Sequence, residues 1–236
     1  MKKICLVLIV TFLVFGCEDT KTSTPKLNTS EKTDTIKTVT KTPEKKKKKK
    51  EKEVKITNDN VLDYMLEYGK NNPERKVRIK TDFGNIDLEL YEETPYHRAN
   101  FIMLAKRNYF EGTQFHRVVK DFVIQGGNSD GWSIAKKRQK IGKYLLPPDT
   151  KKGFKHDRGV ISMPSGDIDR AYKYASPYEF FIVQKKGGTH HLNGEYTAFG
   201  KVISGMDVVD EIANQPTDKG EWPKKNIMIR GVEVLD

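Results

Sequence analysis

The chain has 236 residues, 36% hydrophobic and 32% charged, a length that suits one domain of ordinary size with extensions. Its formal net charge of +11 does not mark the folded part as a nucleic-acid binder, because residues 1–17 contribute +2, residues 18–55 hold 13 Lys against 7 acids, and residues 56–236 hold 28 Lys and Arg against 25 Asp and Glu. Both cysteines, Cys5 and Cys17, lie at the N-terminus, which excludes a disulfide framework, a cysteine nucleophile and a Cys-containing zinc site from the rest of the chain.

Lys2 and Lys3 precede an apolar run from Ile4 to Phe15 broken only by Thr11. A charged start with a short apolar stretch behind it is the pattern of a secretory signal peptide, and the run falls short of the roughly 20 residues a spanning helix needs. It ends in Val14-Phe15-Gly16-Cys17, which resembles a bacterial lipobox. The resemblance implies lipidation at Cys17, attachment to a membrane of the bacterial cell envelope, and an extracytoplasmic location for residues 18–236. A free cysteine ending an ordinary signal peptide is the plainer reading.

Residues 18–55 are mostly Thr, Lys, Glu, Ser and Pro and include the run Lys45–Lys50. Such a segment cannot bury enough apolar surface to offset its ordering entropy, so it reads as a disordered, solvated linker. A polybasic patch for an anionic surface is the alternative. Residues 56–75 form a lead-in helix: Asn58 or Asp59 can cap it, Val61, Leu62, Met65, Leu66 and Tyr68 recur at helical spacing, and Gly69 ends it.

The main domain occupies residues 76–236. Period-two alternation over 77–81 and 86–90, joined by Asp82-Phe83-Gly84-Asn85, predicts a hairpin. Pro95 opens a helix with Phe101, Leu104 and Ala105 on one face. Further strands are predicted at 115–118, 122–125, 159–163, 179–183, 197–199 and 227–234, and a second helix at 206–213. The fold class is mainly β: a closed eight-stranded antiparallel β-barrel capped by two helices, preceded by the short helix and the linker.

No metal site stands out, since none of the five histidines makes the i, i+4 pair of a helical zinc site. No cofactor is implied. The stretch Phe115-His116-Arg117-Val118-Val119-Lys120-Asp121-Phe122-Val123-Ile124-Gln125-Gly126-Gly127 puts Arg117 and Gln125 among aromatic and aliphatic residues. Taken alone the stretch is ambiguous, since a solvated place on the barrel exterior is the commoner fate of a strand arginine such as Arg117.

The stretch resembles the central motif of the cyclophilins, and the likeness runs in order over residues 76–235. Thr81-Asp82-Phe83-Gly84 is similar to the family's opening hairpin and Thr94-Pro95 to Asn100-Phe101 to its first helix. Ser162-Met163, Glu179 to Ile182 and His191 to Val202 are similar to its remaining pocket-forming stretches. The resemblance implies a peptidyl-prolyl cis-trans isomerase with proline-containing polypeptides as partners, working as a monomer. Arg117 takes the catalytic position. Phe122, Val123, Gln125, Pro164, Ser165, Glu179, Phe181, His191, Leu192 and Tyr196 take substrate-binding ones. Glu179 stands where many members have Gln, His191 where some have Trp, Tyr196 where many have His, and Pro164-Ser165 where many have Ala-Asn. The basic stretch Lys136–Lys143 replaces a glycine-rich loop found in some members. The alternative function is a catalytically weak prolyl-binding adaptor or chaperone, motivated by these departures and opposed by Arg117, Phe122, Gln125 and Phe181.

Overall fold

A computed structural model of the chain describes residues 54–166 and 172–236. The signal segment with Cys17, and the linker up to residue 53, lie outside the described residues.

The hairpin forms as the alternation predicts. Strands β2 (Lys76–Thr81) and β3 (Gly84–Leu90) pair antiparallel from Lys76↔Glu89 to Thr81↔Gly84. Val77 and Ile79 on one strand, and Ile86, Leu88 and Leu90 on the other, are fully buried; burying each such side chain is worth about 1.5–3 kcal/mol. The turn is held by Thr81 Oγ1, which donates to the Gly84 carbonyl (2.9 Å) and accepts the Phe83 N–H (3.0 Å).

Strands β4 (Thr113–Val119), β5 (Val123–Asn128), β7 (Val160–Ser162), β8 (Phe180–Val183), β9 (Ala198–Ser204) and β10 (Ile227–Val234) complete a closed barrel in the order β10-β2-β3-β9-β7-β8-β5-β4. Closure depends on β10, whose first residues pair with β4 and whose later ones pair with β2. The register shifts between Ile229 and Gly231, where Gly231 has φ 152°. A bulge of this kind bends a strand and lets it change partner.

Helix α2 (Pro95–Lys106) starts with its proline in the first turn and buries every residue from His97 to Ala105. Phe101 packs on Phe110 at 4.9 Å, Phe199 at 5.7 Å and Phe180 at 5.8 Å between ring centroids. Helix α4 (Met206–Ala213) buries Val209, Ile212 and Ala213. The lead-in helix α1 (Val61–Asn71) continues past Gly69 to Asn71, with Asn60 rather than Asn58 or Asp59 at its N-cap. Its Val61, Met65 and Gly69 face inward. Gly69 allows the close approach to α2, since a Cβ there would lie 3.2 Å from that of Ala99. Arg98 of α2 donates to the Gly69 and Asn72 carbonyls (3.3 and 3.0 Å), satisfying acceptors at the end of α1.

The lead-in helix α1 and the two expected helices α2 and α4 all form, and one further helix joins them. Besides α1, α2 and α4, the described residues contain α3 (Trp132–Ile141), which overlaps the basic stretch Lys136–Lys143. Its anchoring is polar. Lys137 Nζ donates to the carbonyls of Asn108 (2.7 Å) and Glu111 (2.8 Å), and Arg138 donates to Tyr109 Oη (2.9 Å) and Asn128 Oδ1 (2.8 Å). Only Ile134 and Ile141 are buried, so the helix carries little apolar periodicity. Just beyond it, β6 (Gly142–Lys143) pairs in parallel with β1 (Ile56–Thr57).

Candidate functional site

A tight turn joins β4 to β5: Phe122 N–H donates to the Val119 carbonyl at 3.1 Å, and Asp121 adopts φ 56°. The register then sets Arg117 opposite Gln125 and Gln125 opposite Phe181 on β8. A shift in β4 between Phe115 and Arg117 breaks the regular alternation just before the arginine, and bulges commonly re-aim a side chain in this way. Arg117, Gln125 and Phe181 therefore stand in a row across three neighbouring strands.

That row opens onto a cavity of about 210 Å³ lined by Arg117, Phe122, Val123, Gln125, Pro164, Phe181, Leu192 and Tyr196. Beneath it, Val123, Phe181, Val160, Val183 and Ala198 form a small buried cluster separate from the main core, with Phe122, Leu192 and Tyr196 packed against it. Phe181 meets Tyr196 edge-on at 5.7 Å. Aromatic and aliphatic side chains line it together with Arg117 and Gln125, a mix usual for a specific binding site.

Three of the residues expected to bind substrate do not line the cavity. Ser165 comes directly after Pro164 but is not part of the wall. His191 belongs to a 3₁₀ turn, His190–Leu192, rather than an extended segment; it is exposed and stacks on Phe122 at 5.7 Å. Glu179 lies behind the wall and holds Gln125: its carboxylate accepts from Gln125 Nε2 (3.1 Å) and Asn128 Nδ2 (3.0 Å), with His116 Nε2 at 3.5 Å. Burial pushes the Glu179 carboxyl upward, but His116, the Gln125 hydrogen bond and Arg138 outweigh it and hold the pKa below the ordinary glutamate value. An ionised carboxylate only accepts, so one Gln125 N–H is taken by Glu179, which fixes the orientation of the amide and leaves its carbonyl oxygen for the groove.

The Arg117 guanidinium lies 5.8 Å from the Phe122 ring centroid, and its Nε donates to Glu221 Oε2 at 2.6 Å. Both side chains are partly exposed, 35% and 43%. Its terminal nitrogens have no partner among the described residues and remain available to a ligand.

Two further groups went unnoticed in the sequence. His156 is fully buried and stacks on Phe181 at 6.0 Å; its Nε2 lies 3.1 Å from Ser162 Oγ, which donates to the Thr197 carbonyl at 2.7 Å. Burial is the main influence lowering its pKa, partly countered by the Asn193 hydrogen bond. Glu221 is 104 positions from Arg117 in sequence. Among the described residues no group of three or more His, Asp, Glu or Cys side chains could hold a metal ion. Arginine and amide groups beside apolar side chains can hold a carbonyl or favour a nitrogen lone pair, with no acid, base or nucleophile required.

Comparison with known proteins gives concordant results. Residues 76–234 match the family described as "Cyclophilin type peptidyl-prolyl cis-trans isomerase/CLD". A "Peptidyl-prolyl cis-trans isomerase-like 2" from Rhizopus delemar is 36% identical over 170 residues; the match covers 71% of this chain and only 30% of that longer protein. A "Peptidyl-prolyl cis-trans isomerase" from Acinetobacter baylyi is 34% identical over 169 residues, 67% of this chain and 84% of its own length. The crystal structure of a cyclophilin type peptidyl-prolyl cis-trans isomerase from Cryptosporidium parvum, in the presence of the dipeptide Ala-Pro, is similar with a TM-score of 0.58 and 30% identity, covering 69% of this chain and 99% of that one.

Proposed function

The chain belongs to the cyclophilin-type peptidyl-prolyl cis-trans isomerase family, and we propose that it catalyses rotation about X-Pro bonds, with Arg117 as the catalytic donor. The carrying observation is the set of unpaired Arg117 terminal nitrogens beside the apolar pocket of Phe122, Phe181 and Leu192. The proline ring sits among those apolar groups. Val123, Pro164 and Tyr196 complete the wall, and Gln125 offers its carbonyl oxygen to the bound backbone. Glu179 acts through Gln125, and His191 and Ser165 bind at the margin.

Rotation about a peptide bond faces a barrier of about 18–20 kcal/mol because the C–N bond has partial double-bond character, and uncatalysed X-Pro bonds take tens to hundreds of seconds. Reaching milliseconds means lowering that barrier by roughly 7 kcal/mol, at about 1.4 per decade. In the twisted transition state the lone pair returns to the proline nitrogen. A guanidinium that donates to this nitrogen, or holds the neighbouring carbonyl, is bound more strongly there than in the planar ground state, and only such differential binding accelerates the step. Apolar walls remove competing water and strengthen the interaction. Permanent charge and a planar fork of donors suit arginine to the role.

The clients are extracytoplasmic polypeptides and the effect is to assist their folding. The chain works as a monomer, each copy carrying a whole groove, and is held in the bacterial cell envelope by lipid on Cys17. The charged start, the apolar run and the Val14-Phe15-Gly16-Cys17 sequence support this placement. The reading is tested by adding the purified chain to an X-Pro peptide and measuring cis-trans exchange by NMR.

A further inference from the structure

We propose that Glu221 is a positioning residue for catalysis, fixing the Arg117 guanidinium by its Nε so that the terminal nitrogens face the groove. The inference rests on the catalytic reading of Arg117 given above. The carboxylate takes Nε at 2.6 Å, which leaves the opposite edge of a rigid planar fork for the substrate. With the Phe122 ring at 5.8 Å, the guanidinium is held from two directions.

The loop carrying Glu221 is built to hold it there. Asp218 Oδ1 accepts the N–H groups of Gly220 (2.8 Å) and Trp222 (3.0 Å), and its backbone N–H donates to the Trp222 carbonyl (2.9 Å). The Glu221 carbonyl accepts the N–H of Val118 at 2.9 Å, and the Trp222 ring lies 5.9 Å from His116. The loop is thereby fastened to β4 on both sides of Arg117. Glu221 itself has φ 66°, while the glycine of the turn, Gly220, stands one place earlier at a position without positive φ. A glutamate in the left-handed region costs backbone energy that glycine avoids, and strain of this kind collects at functional sites. An ion pair whose two side chains are both about one-third exposed or more adds little to stability, so fold stability alone gives no reason to prefer Glu over Gly here. Orientation of the guanidinium does.

The test compares four full-length variants by exchange spectroscopy on an X-Pro peptide, with the Tm of each: Glu221→Gly, Glu221→Gln, Arg117→Ala and the double variant Arg117→Ala/Glu221→Gly. Glu221→Gly should be at least as stable as the native chain yet lose about tenfold in kcat, since small misplacements of a catalytic group are costly, with KM changed less. Glu221→Gln keeps an acceptor oxygen for Nε and should recover to within roughly threefold of the native rate. In the Arg117→Ala background, Glu221→Gly should cause no further loss, because residues acting as a unit are non-additive. A Glu221→Gly chain with native activity beside an impaired Arg117→Ala chain would overturn the inference and leave the Arg117 assignment standing. So would an equal loss in both backgrounds, the mark of a merely structural role. A fully active Arg117→Ala chain would instead remove the catalytic reading on which the inference rests.

Discussion

Replacing Arg117 by alanine separates catalysis from folding. The side chain is 35% exposed, its ion pair with Glu221 is at the surface, and its contact with Phe122 is 5.8 Å from the ring centroid. Surface pairs are worth about 0–1 kcal/mol and an exposed cation–π contact about 0.5–1 kcal/mol, so the fold should survive with a small fall in Tm. Activity should respond much more. Removing one donor from an oxyanion-hole type site costs about 2.7–4 kcal/mol, or roughly 10² to 10³ in rate. Partial exposure of the groove places the expectation for kcat/KM toward the lower end of that range. Binding of a prolyl peptide should weaken far less, because the apolar walls formed by Phe122, Phe181 and Leu192 are intact. Arg117→Lys should recover little, since a point-like ammonium cannot reproduce two directed donors. The assay is cis-trans exchange of an X-Pro peptide by NMR, with circular dichroism as the folding control. A folded Arg117→Ala chain of native activity would refute the assignment, and equal losses in binding and turnover would recast Arg117 as a ground-state binding residue.

Three further outcomes are expected. Glu179→Gln presents an N–H₂ group that cannot accept from both Gln125 and Asn128; a denaturant titration should show a loss of about 1–3 kcal/mol, with a few-fold fall in kcat/KM, and unchanged stability would show that these hydrogen bonds contribute nothing. His97 and His156 are buried with pKa values lowered chiefly by burial, each drawn partly back up by its neighbour, Asp149 and Asn193 respectively. The unfolded chain therefore binds more protons below pH about 6.5, and stability should be full above that value and fall with acidification by up to about 1.4 kcal/mol per pH unit for each ring; urea midpoints that stay flat between pH 7.5 and 5 would contradict it. Cys17→Ser should leave uncleaved or soluble protein of unchanged isomerase activity, measured by fractionation, and membrane retention of a cleaved Cys17→Ser chain would rule out lipid as the anchor.

Much of the barrel is legible in the sequence because its strands obey a simple rule. Val77 and Ile79, then Ile86, Leu88 and Leu90, alternate inward along a hairpin, and a period of two is visible in any single segment. Helix α3 is not legible, because Lys137 and Arg138 hold it through carbonyl and hydroxyl acceptors distributed over other segments. The β1–β6 pair is two residues long, too short for a period, and closure by β10 depends on a bulge that only three-dimensional pairing reveals. At the site, resemblance brings Arg117, Phe122, Gln125 and Phe181 to one wall without geometry. It does not reveal that Ser165, Glu179 and His191 stand outside the cavity lining, because a linear motif does not distinguish a lining side chain from one that supports or borders the wall. Glu221 belongs to a distant loop whose meaning appears only where its carboxylate meets Arg117.

The central claim is that this groove turns X-Pro bonds rather than merely holding them. Exchange spectroscopy on a prolyl peptide with the native chain tests it most directly. Cis and trans resonances, which interconvert uncatalysed over tens to hundreds of seconds, should exchange on the millisecond scale at saturating enzyme. A peptide that binds in the groove, shifts its resonances and shows no faster exchange would contradict the account and make the protein a prolyl-binding adaptor.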